Sequence, residues 1–218
     1  RARALLAEAA DEASFETVEN YWKAYIRELT QGDFLPEDER GIAAGLVCQR
    51  MARAEVEAAH NEEARRPSYF PSFFADQEND AEAFRSDAVR PYQQSIKFAP
   101  QLHSAYVELA KLHLEVEAEA QAVKVYQSLL KQFPDDYATH LWLANYYLED
   151  DKPDKAERYA REAQRLKPRD PATVTLMWSQ RVAMVRMCAK KRKFAMARQE
   201  WELLAQHMPP DTEPYWLD

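Results

Sequence analysis

Three prolines frame this chain. Pro100, Pro134 and Pro168 stand 34 residues apart, and the stretches between them match as well. Leu109-Ala110 recurs as Leu143-Ala144 and Ala122 recurs as Ala156, each at the same spacing. The run from His103 to Pro134 aligns with Tyr137 to Pro168 without a gap. Two helical patterns repeated at this period specify stacked helical hairpins, each burying an apolar face that it cannot bury alone. Composition points the same way. With 3 glycines in 218 residues there is little material for β-hairpin turns or phosphate loops, which favours an all-α chain.

The pattern divides the chain in order. Residues 1–66 read as an N-terminal antiparallel helical hairpin. Its first helix carries Val18, Trp22, Tyr25 and Leu29 on one face and ends at Gln31-Gly32-Asp33. Its second helix starts at Pro36-Glu37-Asp38-Glu39, with Ile42, Leu46 and Val47 opening its apolar face. Residues 67–79 are a break rich in proline and phenylalanine, read either as a plug between layers or as a docking motif. Asn79-Asp80 is expected to cap a helix over 80–100, the second half of an incomplete repeat, which Pro91 should kink or split near Asp87. Full units follow at 101–134 and 135–168. In each, small Ala110, Ala144, Ala122 and Ala156 let paired helices approach, and proline stops the second helix. In the last unit, 171–209, Ala197 lies 41 residues after Ala156, so the first helix is predicted to be two turns longer, from 171 to about 191. Residues 210–218 form a tail that could cap the final layer.

These residues resemble the tetratricopeptide repeat family. The likeness rests on Leu109-Ala110, Ala122, Tyr126 and Pro134, then on Leu143-Ala144, Tyr147, Ala156, Ala163 and Pro168. His113 stands where the family usually has Tyr, and Ala160 where it usually has Phe or Tyr. The likeness is firm over 101–168 and partial over 80–100 and 171–209. It implies a right-handed α-α superhelix whose first helices line a concave groove. The wall residues would be Val107, Lys111 and Leu114, then Leu141, Trp142, Asn145 and Leu148, then Thr175 and Ser179. Family members that grip a C-terminal carboxylate use Lys, Asn and Arg on that wall. Here Lys111 and Asn145 remain, but Leu141 and Trp142 dominate, so an apolar groove for a peptide or helix is expected, with Trp142 as anchor. The competing reading has Trp142 covered by the chain's own N-terminal hairpin or tail.

Motifs for chemistry are missing. His60, His103, His113, His140 and His207 never share the spacing that puts two metal ligands on one helical face. There is no HExxH, CxxC, GxSxG or glycine-rich phosphate loop, so neither catalysis nor a cofactor is expected. Cys48 and Cys188 are isolated and read as buried, reduced thiols.

Charge is uneven. Residues 1–136 carry a net of −10, whereas 152–198 hold 14 basic against 4 acidic groups, a net of +10. Arg158, Arg161 and Arg165 share a helical face, and Lys190, Lys191, Arg192 and Lys193 fall near a helix end. These seven are either solvated cations at favourable helix positions or contacts for an acidic partner, including the acidic half of another copy. Nucleic acid is disfavoured by the acidic remainder. The expected role is thus a non-catalytic protein-interaction scaffold. The alternatives are a structural or self-assembly module, or a regulatory segment of a longer multidomain protein. Lacking an initiator Met and a secretory signal, the chain is expected to begin inside a longer protein. A cytoplasmic setting is favoured, and export after signal removal stays open.

Overall fold

The structure is a computed structural model and describes residues 15–31, 35–64 and 75–206. Among these residues there are nine α-helices and no strand. They fall into two compact units, Arg1–Gln132 and Phe133–Asp218, divided between the two clear repeats. The predicted tail 210–218, the aromatic stretch Phe70, Phe73 and Phe74, and the alanine-rich start lie outside the described residues.

The first unit holds α1 (Phe15–Gln31), α2 (Glu37–Ala64), α3 (Ala75–Phe98), α4 (His103–Glu115) and α5 (Glu119–Gln132). Pro36 sits just before α2, and its carbonyl accepts the first turn's amides from Glu39 (3.0 Å) and Arg40 (3.1 Å). Two of the three residues expected on the apolar face of α2 lie outside it: Ile42 is 36% and Leu46 50% exposed, whereas Val47 is half-buried. The buried stripe is instead Ala44, Cys48, Ala52 and Ala59, because α2 lies so close to α3 that only small side chains fit. A Cβ on Gly45 would come within 2.6 Å of the Ala99 Cβ, and one on Gly41 within 2.8 Å of the Phe98 carbonyl oxygen. The Ser95 hydroxyl donates to the Gly45 carbonyl at 2.7 Å across the same seam. Glycine serves close approach here, not turning.

The expected start of α3 fails, and so does the expected split at Pro91. The helix begins at Ala75, so Asn79-Asp80 lies inside it rather than capping it. It also continues through Pro91 as one helix, so the proline does not split it. Ala88 and Tyr92, on either side of that proline, both pack into the core around Ala52, Leu109 and Leu112. Burial on both sides holds the two halves in one helix and outweighs the missing backbone donor.

The second unit holds α6 (Tyr137–Glu149), α7 (Pro153–Leu166), α8 (Pro171–Lys190) and α9 (Phe194–Gln206). The 34-residue period holds between the units: α6 starts 34 residues after α4, and α7 34 after α5. As predicted, α8 is long, with 20 residues against 13 in α6, and α9 starts 41 residues after α7. Its core packs Ala144, Ala160, Ala163 and Leu176 together. Asp136 and Asp170 cap α6 and α8 by accepting from the Thr139 amide (3.2 Å) and the Ala172 amide (2.9 Å).

Three hairpins close with one device. After α4, the Ala118 amide bonds the His113 carbonyl (2.7 Å) and the Glu117 amide bonds Leu114 (3.1 Å). The same pair recurs after α6, from Lys152 to Tyr147 (2.9 Å) and Asp151 to Leu148 (3.2 Å). It recurs after α8, from Lys193 to Cys188 (2.8 Å) and Arg192 to Ala189 (2.9 Å). This is the Schellman closure, which needs a left-handed residue past the helix end. Glu117, Asp151 and Arg192 fill that place with φ of 55°, 52° and 56°.

Candidate interaction surface

In the second unit, Tyr137 on α6 locks the starts of α6 and α8 together. Its hydroxyl donates to the Asp170 carboxylate at 3.0 Å and lies 2.9 Å from the Thr173 hydroxyl, while the Lys167 ammonium sits 4.4 Å from its ring centre. The phenol's hydrogen bond, aided by the Ala172 amide, lowers the Asp170 pKa. The phenol itself is raised, chiefly by burial.

With those ends tied, the bodies of α6 and α8 flank an open cleft of about 560 Å³. Asn145 and Leu148 of α6 line it with Trp178, Ser179, Val182 and Arg186 of α8, and Glu149 also contributes. Leu148, Trp178 and Val182 are half-buried apolar surface, whereas Asn145, Ser179 and Arg186 are exposed polar groups. An apolar lining with a few hydrogen-bonding side chains suits a peptide side chain plus its backbone. Trp178 lines a second hollow too, of about 240 Å³, together with Met177, Arg181 and Leu204.

The expected wall residues therefore take different places. Asn145, Leu148 and Ser179 come together at the cleft. Leu141 packs against the Ala144–Leu176 core. Trp142 is half-buried and stacked on Tyr146, ring centres 5.4 Å apart and 10° from parallel, outside the cleft lining. Thr175 is exposed on α8. In the first unit, Val107 and Leu114 are half-buried on α4 and Lys111 is exposed. Sequence reasoning missed Trp178 and Val182. The signal was the 34-residue step that carries Leu148 onto Val182.

The first unit has a polar cluster that sequence reading also missed. Buried Gln49 donates to the Ser104 hydroxyl (2.7 Å) and to Glu108 (3.0 Å), and the Arg53 guanidinium closes on the same Glu108 carboxylate (Nε to Oε2, 2.9 Å). Glu108 holds the Arg53 pKa up, and burial raises that of neighbouring Tyr92. A hollow of about 550 Å³ runs along this part of α2, lined by Leu46, Gln49, Arg50 and Arg53 among others.

The candidate cations are partly neutralised in place. Arg161 pairs with Glu157, and Arg165 with Glu162 (2.8 Å) and Asp135. Arg158 lies 5.9 Å from the Tyr159 ring centre, and Lys190 is 3.6 Å from Asp151. Among the described residues Lys191, Arg192 and Lys193 make no ion pair. Both cysteines are free and buried, and burial pushes the Cys48 thiol up to about 11. Among the described residues no group of three or more His, Cys, Asp or Glu side chains is placed to hold a metal ion, and no helix is long and apolar enough to cross a membrane.

Residues 113–177 match the family model described as tetratricopeptide repeat. No curated protein matches the chain. Tetratricopeptide repeats are in general protein–protein interaction modules and typically non-catalytic.

Proposed function

Because residues 113–177 are a tetratricopeptide-repeat segment, we propose that the chain is a non-catalytic scaffold that holds a peptide or helix in the cleft between α6 and α8. The observation that carries this reading is the lining of that cleft: half-buried Leu148, Trp178 and Val182 flanked by exposed Asn145, Ser179 and Arg186. The apolar side chains supply burial on binding, and the Asn145 amide supplies a donor and an acceptor for a partner's backbone. Arg186 favours a partner with a carboxylate beside its apolar anchor.

Selection from a random peptide library tests this, using the chain and its Ser179→Glu variant, whose exposed position leaves the core untouched and whose carboxylate repels an acidic peptide. The scaffold reading expects the chain to enrich peptides that pair an apolar residue with an acidic one, and the variant to lose them. Recovery of the same peptides by both proteins, with circular dichroism showing equal helicity, would remove the cleft from the function.

A second reading, self-assembly, is favoured by charge. Residues 1–132 carry the whole net charge of −8, while 133–218 are neutral but contain the basic stretch 152–198. An acidic unit of one copy and a basic stretch of another would attract each other.

A further inference from the structure

The hairpin of α8 and α9 ends in a tip unlike the other two. Residues 189–196 are exposed without interruption. They hold four consecutive cations, Lys190 to Lys193, and no acid occurs between Asp170 and Glu200. The earlier turns have the opposite sign, with Glu115, Glu117 and Glu119 in one and Glu149, Asp150 and Asp151 in the other. Directly after the cations come two of the exposed large apolar side chains, Phe194 at 64% and Met196 at 49%. The tip also ends a longer helix: α8 has seven residues more than α6, two turns or roughly 10 Å of rise.

We propose that this tip is a membrane-surface contact, in which Lys190–Lys193 meet an anionic lipid headgroup layer and Phe194 and Met196 enter the interface beneath it. Cations alone would attract any polyanion, so the apolar pair decides among them. Phe194 and Met196 lie two positions apart, about 200° around the first turn of α9. A flat, rigid partner would cover one of them and leave the other in water. A nucleic acid could stack on Phe194 and would leave Met196 in water. A fluid headgroup layer closes around both, and it accepts an exposed tip none of whose residues lines the α6–α8 cleft. The weak, exposed contact of Lys190 with Asp151 is one that anionic lipid can displace.

Vesicle sedimentation of the full chain tests the proposal. The chain should bind phosphatidylserine-rich vesicles, ignore pure phosphatidylcholine, and bind less as salt rises. Lys191→Gln with Lys193→Gln removes two cations and should weaken partitioning by about 25-fold, at roughly fivefold for each. Phe194→Ala should weaken it severalfold while leaving the salt dependence as it was. Circular dichroism confirms that these exposed changes preserve helicity. No binding to anionic vesicles, equal binding to both vesicle types, or wild-type binding by the double variant would overturn the proposal. So would tighter binding to a single-stranded oligonucleotide or to polyglutamate than to anionic vesicles, which would make the tip a contact for nucleic acid or for an acidic protein respectively.

Discussion

Replacing Glu117 by glycine should stabilise this protein, although it deletes a side chain and adds none. Glu117 holds φ at 55° so that the amides of Glu117 and Ala118 can close the end of α4. A left-handed conformation costs a residue with a Cβ roughly 1–2 kcal/mol. Glycine escapes that cost but loses more backbone entropy on folding, about 0.5–1 kcal/mol. The balance is a gain of roughly 0.5–1 kcal/mol, or about 1–4 °C in Tm for a chain of this size. The control is Glu117→Ala, which removes the same carboxylate but keeps the Cβ and so the strain. Thermal unfolding followed at the helical circular dichroism band gives both values, and the Gly–Ala difference isolates the backbone. Asp151 sits in the same place at φ 52°, yet aspartate tolerates this region better, so Asp151→Gly should gain less than Glu117→Gly. If Glu117→Gly melts at or below Glu117→Ala, left-handed strain is not stored in these turns and the reasoning fails.

Three further outcomes follow from the packing and charge. Gly45→Ala should lower stability by about 1–2 kcal/mol in urea titration, since a Cβ 2.6 Å from that of Ala99 forces α2 and α3 apart and outweighs alanine's better helix propensity of about 1 kcal/mol. A stabilised variant would mean the seam is looser than drawn. His113 is buried, and desolvation lowers its pKa from the ordinary 6.5. The unfolded chain therefore takes up the proton first, and the stability that neutral His113 supplies is full above about pH 6.5 and is lost as pH falls toward the folded pKa. His113→Tyr, the residue its repeat counterpart Tyr147 already has, should flatten that part of the Tm–pH profile. If charge drives copies together, light scattering should show oligomers that dissociate as salt rises to about 0.5 M, where the screening length is only a few ångströms. A monomer at low salt would dismiss self-assembly.

How much of this was legible beforehand depended on whether the signal was periodic. The 34-residue step located four helices, and the 41-residue step gave the length of α8. Both survive because prolines, small alanines and capping residues act locally, wherever the rest of the chain lies. The face of α2 was not legible. Ile42 and Leu46 look like core by hydropathy, but how close α3 lies decides burial, and Gly41 and Gly45 set that distance. The turns were not legible either. Glu117, Asp151 and Arg192 take the left-handed place that glycine usually fills, at the cost of strain.

The same contrast explains why the surface was harder to read than the fold. Trp142 has the expected anchor's chemistry, but Tyr146, one turn on, stacks against its ring and takes up part of that surface. Trp178 lies two positions off the repeat of Trp142, so no periodic argument selects it, yet it lines two hollows of the second unit. Repetition conserves what each hairpin needs to stack, namely Ala144, Ala160 and Leu176 in the interior. It places no demand on the exposed positions where a partner would bind. Departures from the repeat are therefore the better guide to function in this chain. The two largest coincide, since the seven residues that lengthen α8 end in the basic tip that carries Phe194.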